Sequence, residues 1–306
     1  MRKGKALTCG ATVGLVAPAS PVLPEKLQAA VVKLHQLGFQ VKLGESCGNE
    51  YGGYMAGTPL ERAADINNMF ADEEVDAILC LRGGYGSPQI LPYLDYEMIK
   101  KHPKLFTGYS DITAIHTAFL QKCGLATIHG PMAAVEFIRN DDKSVQSFLR
   151  MAMAGSTSYS GLKNAEVWGG GKVTAPLVGG NLSLICTLMG TPYELDTKGK
   201  ILFLEEVHEE PYAVDRMLTQ LFLSGKLDDA AGFVLGQWTD CEAKEHTNSF
   251  TVQDVLKHFF CGLDKPVLAN IWSGHCTPNV ALPLGIPVTV DTFHMRLEFN
   301  EKIVEE

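Results

Sequence analysis

Residues 75–110, VDAILCLRGGYGSPQILPYLDYEMIKKHPKLFTGYS, decide the fold. VDAILCL is a continuous apolar run of strand length, which is typical of a strand buried on both faces. The loop RGGYGS ends this run, a helix is predicted through ILPYLDYEMIKK, and LFTGYS predicts the next strand. A strand, a helix and a second strand in this order predict a right-handed crossover between parallel strands.

The same alternation extends to both sides of this stretch. Upstream, the strands ATVGLVAP and FQVKLG enclose a helix predicted from Pro24 to Leu37 and ended by Gly38, and a further helix is predicted to open at Pro59. Downstream come the helix DITAIHTAFLQKC and the strand ATIHGP. This order predicts an α/β fold with a parallel sheet. Because such sheets place ligands at the carboxyl ends of their strands, RGGYGS and GYSD mark the expected site.

The second half of the chain has a less regular pattern. The helix SVQSFLRMAMAG is expected to close a first domain over residues 1–155, and the small polar segment STSYSGLKNAE indicates a linker over 156–168. The remaining domain, 169–306, contains a predicted helix capped by Asn181 and the strands KILFLEEV, AGFVLGQW and VLANIWSG. Its Pro-rich and then alternating tail indicates further β structure.

Composition narrows the range of partners. The net charge of −9 disfavours phosphate backbones and anionic lipid surfaces, so we expect a small peptide or other small molecule rather than nucleic acid or membrane. The N-terminal apolar run is broken by Thr, Cys and Gly, so it predicts a buried strand and a cytoplasmic chain rather than a signal peptide. The eight cysteines form no C-x-x-C pair, and no H-E-x-x-H is present. We therefore predict free thiols, no metal site and no cofactor.

Ser110 is the strongest local candidate for chemistry. In LFTGYSDIT a buried strand enters a tight turn and a helix is predicted to begin at Ser110, which would expose the hydroxyl at the sheet edge and place the backbone N–H of Asp111 where an oxyanion forms. The G-x-S-x-G spacing of a nucleophile elbow fails, because Ile112 stands where the second glycine belongs. From this window alone, an ordinary helix N-cap explains the serine slightly better.

The loop RGGYGS is the second candidate. Its glycines allow backbone N–H groups to approach a ligand closely, and its spacing excludes a nucleotide-binding P-loop. We expect the Gly83–Gly84 segment to supply a second oxyanion donor. A plain turn is the alternative, and binding of a carboxylate by Arg82 ranks below both.

Two further segments carry titratable groups. Glu205 and Glu206 are adjacent at the end of an apolar strand, so only one of them can face a site. A carboxylate at this position needs a partner, which is either a catalytic histidine or a structural Arg or Lys. This window alone favours the structural partner. His275 lies in a Gly-flanked loop after a strand, with His116 and His129 as alternative bases. At the start of a later helix, DRMLTQL, the neighbours Asp215 and Arg216 predict a structural ion pair rather than a substrate clamp.

Seven of these segments together resemble one family. TVGLVAPAS, RGGYG, GYSDIT, IHGP, PLVGGNLS, FLEEV followed by DRMLTQL, and SGH occur in this order along nearly the whole chain. In this they resemble the LD-carboxypeptidases, or muramoyltetrapeptide carboxypeptidases, a family that includes the microcin-immunity hydrolases. The resemblance implies a flavodoxin-like N-terminal α/β domain, a smaller β-rich C-terminal domain and a homodimer.

The resemblance also implies a catalytic triad and a substrate. Carried over by motif, the nucleophile is Ser110, the base is His275 and the acid is Glu205, with Glu206 as the alternative acid. In the mechanism expected from these residues, backbone N–H groups of Asp111 and Gly84 hold the oxyanion. The implied substrate is murein tetrapeptide, cut before its terminal D-Ala during cell-wall recycling. One alternative is an immunity-type hydrolase of aminoacyl nucleotides, with Trp168 as a platform for the base. Another is a non-catalytic two-domain binding protein.

Overall fold

The computed structural model describes residues 1–139, 141–244 and 248–305. The chain forms two compact units. Unit 1 contains Met1–Ser156, Ala281–Gly285 and the chain from Lys302 onward, and unit 2 contains Thr157–Val280 and Ile286–Glu301. The boundaries predicted above, with a linker over 156–168, stay a prediction.

The strands follow the chain in this order: β1 (Thr12–Val16), β2 (Gln40–Leu43), β3 (Ala77–Cys80), β4 (Leu105–Gly108), β5 (Thr127–His129), β6 (Glu166–Gly169), β7 (Lys172–Asn181), β8 (Ile201–Val207), β9 (Gly232–Thr239), β10 (Val267–Ala269), β11 (Leu282–Leu284), β12 (Pro287–Asp291) and β13 (Arg296–Phe299). The helices are α1 (Pro24–Gln36), α2 (Pro59–Ala71), α3 (Ser87–Ile90), α4 (Tyr96–Lys101), α5 (Thr113–Ala118), α6 (Asp142–Ala154), α7 (Leu182–Thr187), α8 (Pro211–Leu223), α9 (Lys226–Asp229) and α10 (Val252–Phe260).

The sheet of unit 1 has the strand order β11-β5-β4-β3-β1-β2. Strands β1 to β5 pair in parallel, and β11 adds to β5 in the antiparallel direction. The order 2-1-3-4-5 is that of flavodoxin-like folds, so the predicted fold class of this half is confirmed. Every residue of β3 and β4 is buried, as their continuous apolar runs require.

The sheet of unit 2 is mixed, with the order β13-β12-β7-β8-β9-β10-β6. Strands β7 to β10 pair in parallel, whereas β6, β12 and β13 pair in the antiparallel direction. The predicted β-rich second half is therefore confirmed. Residues of β8 are buried up to Glu206, so the two adjacent glutamates lie at the end of an interior strand.

Most predicted helices form where local signals place them. A capping box between Thr58 and Glu61 begins α2, and the Asn181 side chain accepts a hydrogen bond from Leu184 N at 3.3 Å at the start of α7. The single helix predicted through ILPYLDYEMIKK is wrong, because the chain forms α3, a 3₁₀ turn over Leu91–Tyr93 and then α4. Pro92 disfavours a continuous helix, and the Asp95 side chain caps a new one.

Four elements of unit 2 were not predicted, namely β6, β7, α9 and α10. Helix α10 carries its own start signal, a capping box between Thr251 and Asp254. Strand β6 lies in a segment whose small polar residues indicated only a linker, and it forms because its backbone pairs with β10. Pairing with a strand about 100 residues away leaves no local pattern in the sequence.

Candidate active site

Ser110 has a strained backbone. It follows β4 with a φ of 65°, in the left-handed region that non-glycine residues rarely occupy. It opens a 3₁₀ turn, Ser110–Ile112, and α5 begins only at Thr113. Neither element has a side-chain cap, so the interpretation of Ser110 as a helix N-cap is wrong. Strain of this kind persists where the surroundings impose it, and it is frequent at functional sites.

Gly83 brings the glycine loop against this serine. A Cβ atom at Gly83 would lie 2.8 Å from Ser110 Cβ, 3.0 Å from Ser110 Oγ and 3.3 Å from Asp111 N. Side chains do not tolerate the first of these distances, so the close approach requires glycine. Gly84 and Gly86 have φ values of 119° and 113°, which also favour glycine. The loop therefore needs Gly83 for its packing against the Ser110 turn, and it needs Gly84 and Gly86 for their positive φ values.

Hydrogen bonds fasten the same loop to Asp111. Ser87 N donates to Asp111 Oδ2 at 2.7 Å, and Ser87 Oγ donates to the Asp111 carbonyl. Arg62, which is fully buried, donates to Gly86 O at 2.9 Å. Burial raises the pKa of Asp111, although the bonds from Ser87 favour its carboxylate form. The residue after Ser110 is thus held through its side chain and its carbonyl.

The residue before Ser110 is held as well. Tyr109 Oη donates to Glu136 Oε1 at 2.8 Å, and Met132 N donates to Glu136 Oε2 at 2.9 Å. Both side chains are buried, and burial raises the pKa of Glu136. Sequence reasoning missed this anchor, although a lone glutamate in the apolar run AAVEF was a signal that it needs a buried partner.

The two alternative histidines lie in the interior of unit 1. His116 Nε2 donates to Gly108 O at 2.8 Å, and burial lowers the pKa of His116 to about 4. The ring is therefore neutral at pH 7 and bonded to the end of β4. His129 is buried in β5, with its ring centroid 5.8 Å from that of Tyr109.

In unit 2 the structure brings Glu205 and His275 together. His275 Nδ1 lies 2.7 Å from Glu205 Oε2, and His275 N donates to the same oxygen at 3.2 Å. Glu205 is 0% exposed, so the carboxylate is dry and its interaction with the imidazole is strong. A carboxylate at Nδ1 favours the tautomer that is protonated there, which leaves Nε2 as a proton acceptor.

Glycines again make room for the charged group. Gly274 has a φ of 103°, and a Cβ atom there would lie 2.5 Å from Glu205 Oε2. A Cβ atom at Gly236 in β9 would lie 3.1 Å from Glu205 Cβ. The pairing of β8 with β9 is irregular between Leu204 and Glu206, so a bulge coincides with the position of the carboxylate.

Glu206 has different partners. Its Oε1 accepts from Asn181 Nδ2 at 2.7 Å, and its Oε2 accepts from both the backbone N and the Oγ of Ser183 at 2.7 Å. Burial raises the pKa of Glu206, and the adjacent charge of Glu205 adds to this. Of the two neighbours, Glu205 contacts His275 and Glu206 holds the start of α7.

The other predicted residues have simpler surroundings. Arg82 is exposed, and the Trp168 indole on β6 donates to Glu166 Oε2 at 2.8 Å. The ion pair predicted for Asp215 and Arg216 is wrong, since no such pair forms in the part of the chain that the structure describes. Adjacent helical residues do not face each other. Instead, Asp215 accepts a hydrogen bond from Thr219 Oγ1, and the Arg216 guanidinium lies over the ring of Tyr212.

The described residues contain neither a candidate metal site nor a helix suited to a membrane. Among residues 1–139, 141–244 and 248–305, no group of three or more His, Cys, Asp or Glu side chains is arranged to hold a metal ion. Within the same ranges, no helix combines the length and apolarity needed to cross a membrane. In the part of the chain that the structure describes, the eight cysteines form no disulfide, and Cys9 and Cys261 are exposed.

Comparison with known proteins gives matches to one protein family over most of the chain. Residues 13–130 match the model of the LD-carboxypeptidase N-terminal domain, and residues 174–290 match that of the LD-carboxypeptidase C-terminal domain. The chain is 43% identical over 293 residues to a probable murein peptide carboxypeptidase of Bacillus subtilis, which covers 95% of this chain and 92% of that protein. It is 32% identical to the murein tetrapeptide carboxypeptidase of Pseudomonas aeruginosa, over 93% of this chain and 94% of that protein.

A solved structure gives a similar result. The structure of MccF in complex with glutamyl sulfamoyl guanosine has a TM-score of 0.90 and 25% sequence identity, and the match covers 99% of each chain. The likeness thus extends over both units, and the two domain models match in their expected order. This chain belongs to the LD-carboxypeptidase family and is a serine-type carboxypeptidase.

Proposed function

We propose that the chain removes the terminal D-Ala from murein tetrapeptide, with Ser110 as nucleophile, His275 as base and Glu205 as the acid that orients the base. The observation that carries the proposal is the 2.7 Å contact between His275 Nδ1 and the buried Glu205 Oε2. The relatives named murein peptide and murein tetrapeptide carboxypeptidases support the substrate. The assignment places the nucleophile in unit 1 and the other two residues in unit 2.

The proposed reaction is acyl transfer to serine followed by hydrolysis. His275 Nε2 takes the proton of Ser110 Oγ, which attacks the carbonyl carbon before the terminal D-Ala. The tetrahedral intermediate collapses as the imidazolium gives its proton to the amine of D-Ala, and the C–N bond breaks. Water, deprotonated by His275, then attacks the acyl-enzyme ester and releases Ser110 and the shortened peptide.

Backbone N–H groups of Asp111 and Gly84 are proposed to hold the oxyanion. The packing of Gly83 on Ser110 and the bonds from Ser87 to Asp111 support this role, because oxyanion donors act best when they are fixed before the reaction. The charged Glu205 stabilises the imidazolium that forms in each half-reaction.

The test is mass spectrometry of murein tetrapeptide after incubation with the enzyme. We expect wild type and the exposed-site control Ser224→Ala to release one D-Ala, and Ser110→Ala to be slower by several orders of magnitude. Near-normal turnover by Ser110→Ala would remove Ser110 as nucleophile. A wild type that leaves the tetrapeptide intact would remove the proposed substrate.

A second candidate substrate is an aminoacyl nucleotide. The similarity to MccF bound to glutamyl sulfamoyl guanosine favours it, and the partly exposed Trp168 on β6 offers a ring for stacking on a base. The ratio of kcat/KM for a glutamyl sulfamoyl nucleoside analogue bearing a cleavable amide to that for murein tetrapeptide separates the two. Membership in a peptidase family favours both of these over the non-catalytic binding protein considered above.

The proposed substrate also suggests where the enzyme acts. A tetrapeptide recovered from the cell wall is processed during peptidoglycan recycling, and we propose that this chain acts in the cytoplasm as a homodimer. Cell fractionation tests the location, and sedimentation equilibrium tests the dimer.

A further inference from the structure

We propose that Arg82 binds the free C-terminal carboxylate of the substrate and so restricts the enzyme to the last peptide bond. The inference deepens the proposed function, on which it rests, by assigning the residue that recognises the chain end. A carboxypeptidase has to distinguish a terminal carboxylate from an internal amide. A guanidinium group does so well, because its parallel N–H donors match the two oxygens of a carboxylate.

The position of Arg82 fits this role. It precedes Gly83, whose Cβ position lies 3.0 Å from Ser110 Oγ. Its Nη2 lies 3.7 Å from the Cβ position of Gly84, so the guanidinium lies beside the loop whose Gly83 packs against Ser110. In a carboxypeptidase substrate the terminal carboxylate is one residue beyond the scissile carbonyl, a separation of about 4 Å. The terminal carboxylate is therefore expected close to the loop that carries Arg82 and packs against Ser110.

Arg82 also has donors available. It is exposed, and its Nη1 lies 3.5 Å from Pro21 O, which is beyond the usual length of an N–H···O bond. Within the described residues, no carboxylate forms an ion pair with it. Binding a ligand carboxylate therefore displaces no strong interaction within unit 1.

The other arginine at this loop has the opposite character. Arg62 is 0% exposed, and its guanidinium donates to Gly57 O, Pro18 O and Gly86 O and to Gln89 Oε1. These bonds satisfy a buried cation and hold the loop. The chain thus supports the loop with one arginine and presents a second one to solvent on the same loop.

The backbone that carries Arg82 is fixed. Tyr85 N donates to Ser20 Oγ at 3.1 Å, and Arg62 holds Gly86 O. A fixed backbone lowers the entropy lost when a ligand carboxylate binds. Only the Arg82 side chain has to be ordered.

The experiment compares murein tetrapeptide as its free C-terminal acid and as its C-terminal amide. For wild type we expect kcat/KM to be higher for the acid. Arg82→Met should lower kcat/KM for the acid by about 100-fold, mostly through KM, because a paired charge–charge hydrogen bond is lost, and should leave the amide nearly unchanged. For Arg82→Lys, kcat/KM for the acid should lie between the values for wild type and Arg82→Met. Arg150→Met, at another exposed arginine, should retain the wild-type ratio of kcat/KM for the acid to kcat/KM for the amide.

Two results would overturn the assignment. An unchanged acid-to-amide ratio in Arg82→Met shows that Arg82 does not bind the carboxylate. An equal loss for both peptides shows that Arg82 only supports the loop.

Calorimetry separates this proposal from the proposed function, because it needs no turnover. The non-hydrolysing Ser110→Ala variant should bind the acid more tightly than the amide, and the added Arg82→Met substitution should remove the difference. Equal binding of acid and amide to Ser110→Ala contradicts the role of Arg82 even if wild type hydrolyses the tetrapeptide. A preference for the acid that depends on Arg82 supports it even if Ser110 proves not to be the nucleophile.

Discussion

Gly274 leaves the space that the Glu205 carboxylate occupies. A Cβ atom at residue 274 would lie 2.5 Å from Glu205 Oε2, the oxygen that His275 Nδ1 approaches at 2.7 Å. The φ of 103° at Gly274 is itself unfavourable for any residue with a side chain. The contact between Glu205 and His275 therefore depends on the absence of a single methyl group.

Gly274→Ala should consequently lower both stability and activity. We expect the free energy of unfolding to fall by about 3 kcal/mol, from the positive φ and the overlap together, and kcat to fall as Glu205 is displaced from His275. The control is Gly262→Ala, because Gly262 has a φ of 82° and, among the described residues other than its chain neighbours, no atom within 4 Å of its Cβ position. It should lose only about 1 kcal/mol and keep its kcat. Equal kcat values in the two variants, measured on folded protein, would contradict this account.

Glu205→Gln should lower mainly kcat, whereas Glu206→Gln should lower mainly the free energy of unfolding. The first removes the charge opposite His275, so kcat should drop by about 10³- to 10⁴-fold. The second turns an acceptor of bonds from Asn181 and Ser183 into a partial donor, so the free energy of unfolding should fall by about 1–3 kcal/mol. Its kcat should stay near that of wild type. Steady-state kinetics and urea unfolding of both variants measure this, and a larger kcat loss in Glu206→Gln would reverse the assignment.

Local patterns were sufficient for the parallel strands of unit 1 but not for the strained backbone of Ser110. The continuous apolar runs of β3 and β4 predict buried parallel strands, and the structure has them. The φ of Ser110 had no local signal, and the residues on either side of it, Tyr109 and Asp111, are held by distant partners. These neighbours are held by Glu136 and by Ser87, which are separated from them by 27 and 24 residues.

In unit 2, the adjacent glutamates also depend on a residue that is distant in sequence. Alternation along a strand predicts that Glu205 and Glu206 face opposite sides, but not which side holds a histidine. That choice depends on His275, 70 residues further along the chain. Motif resemblance selected Glu205, and the structure gives the contact that local sequence could not.

The strain at Ser110 makes a prediction about stability that is separate from catalysis. Ser110→Gly and Ser110→Ala both lack the hydroxyl, so both should be slower than wild type by several orders of magnitude. Glycine adopts the left-handed region without the penalty that a Cβ atom incurs, so Ser110→Gly should be more stable than Ser110→Ala by about 1 kcal/mol. Urea unfolding of the two variants measures the difference. A more stable alanine variant would show that the backbone is not strained at this position.

Burial of His116 should make the fold sensitive to acid. Its pKa is lowered to about 4 in the folded chain, from an ordinary value of 6.5, so between these pH values the unfolded chain binds a proton that the folded chain does not. The free energy of unfolding should therefore fall as the pH drops from 6.5 through about 4, by about 3 kcal/mol from this residue. His116→Gln, whose amide can still donate to Gly108 O, should lose this part of the dependence, whereas His102→Gln at an exposed position should keep it. Urea unfolding at pH 7 and pH 4 tests this, and equal pH slopes in wild type and His116→Gln would contradict it.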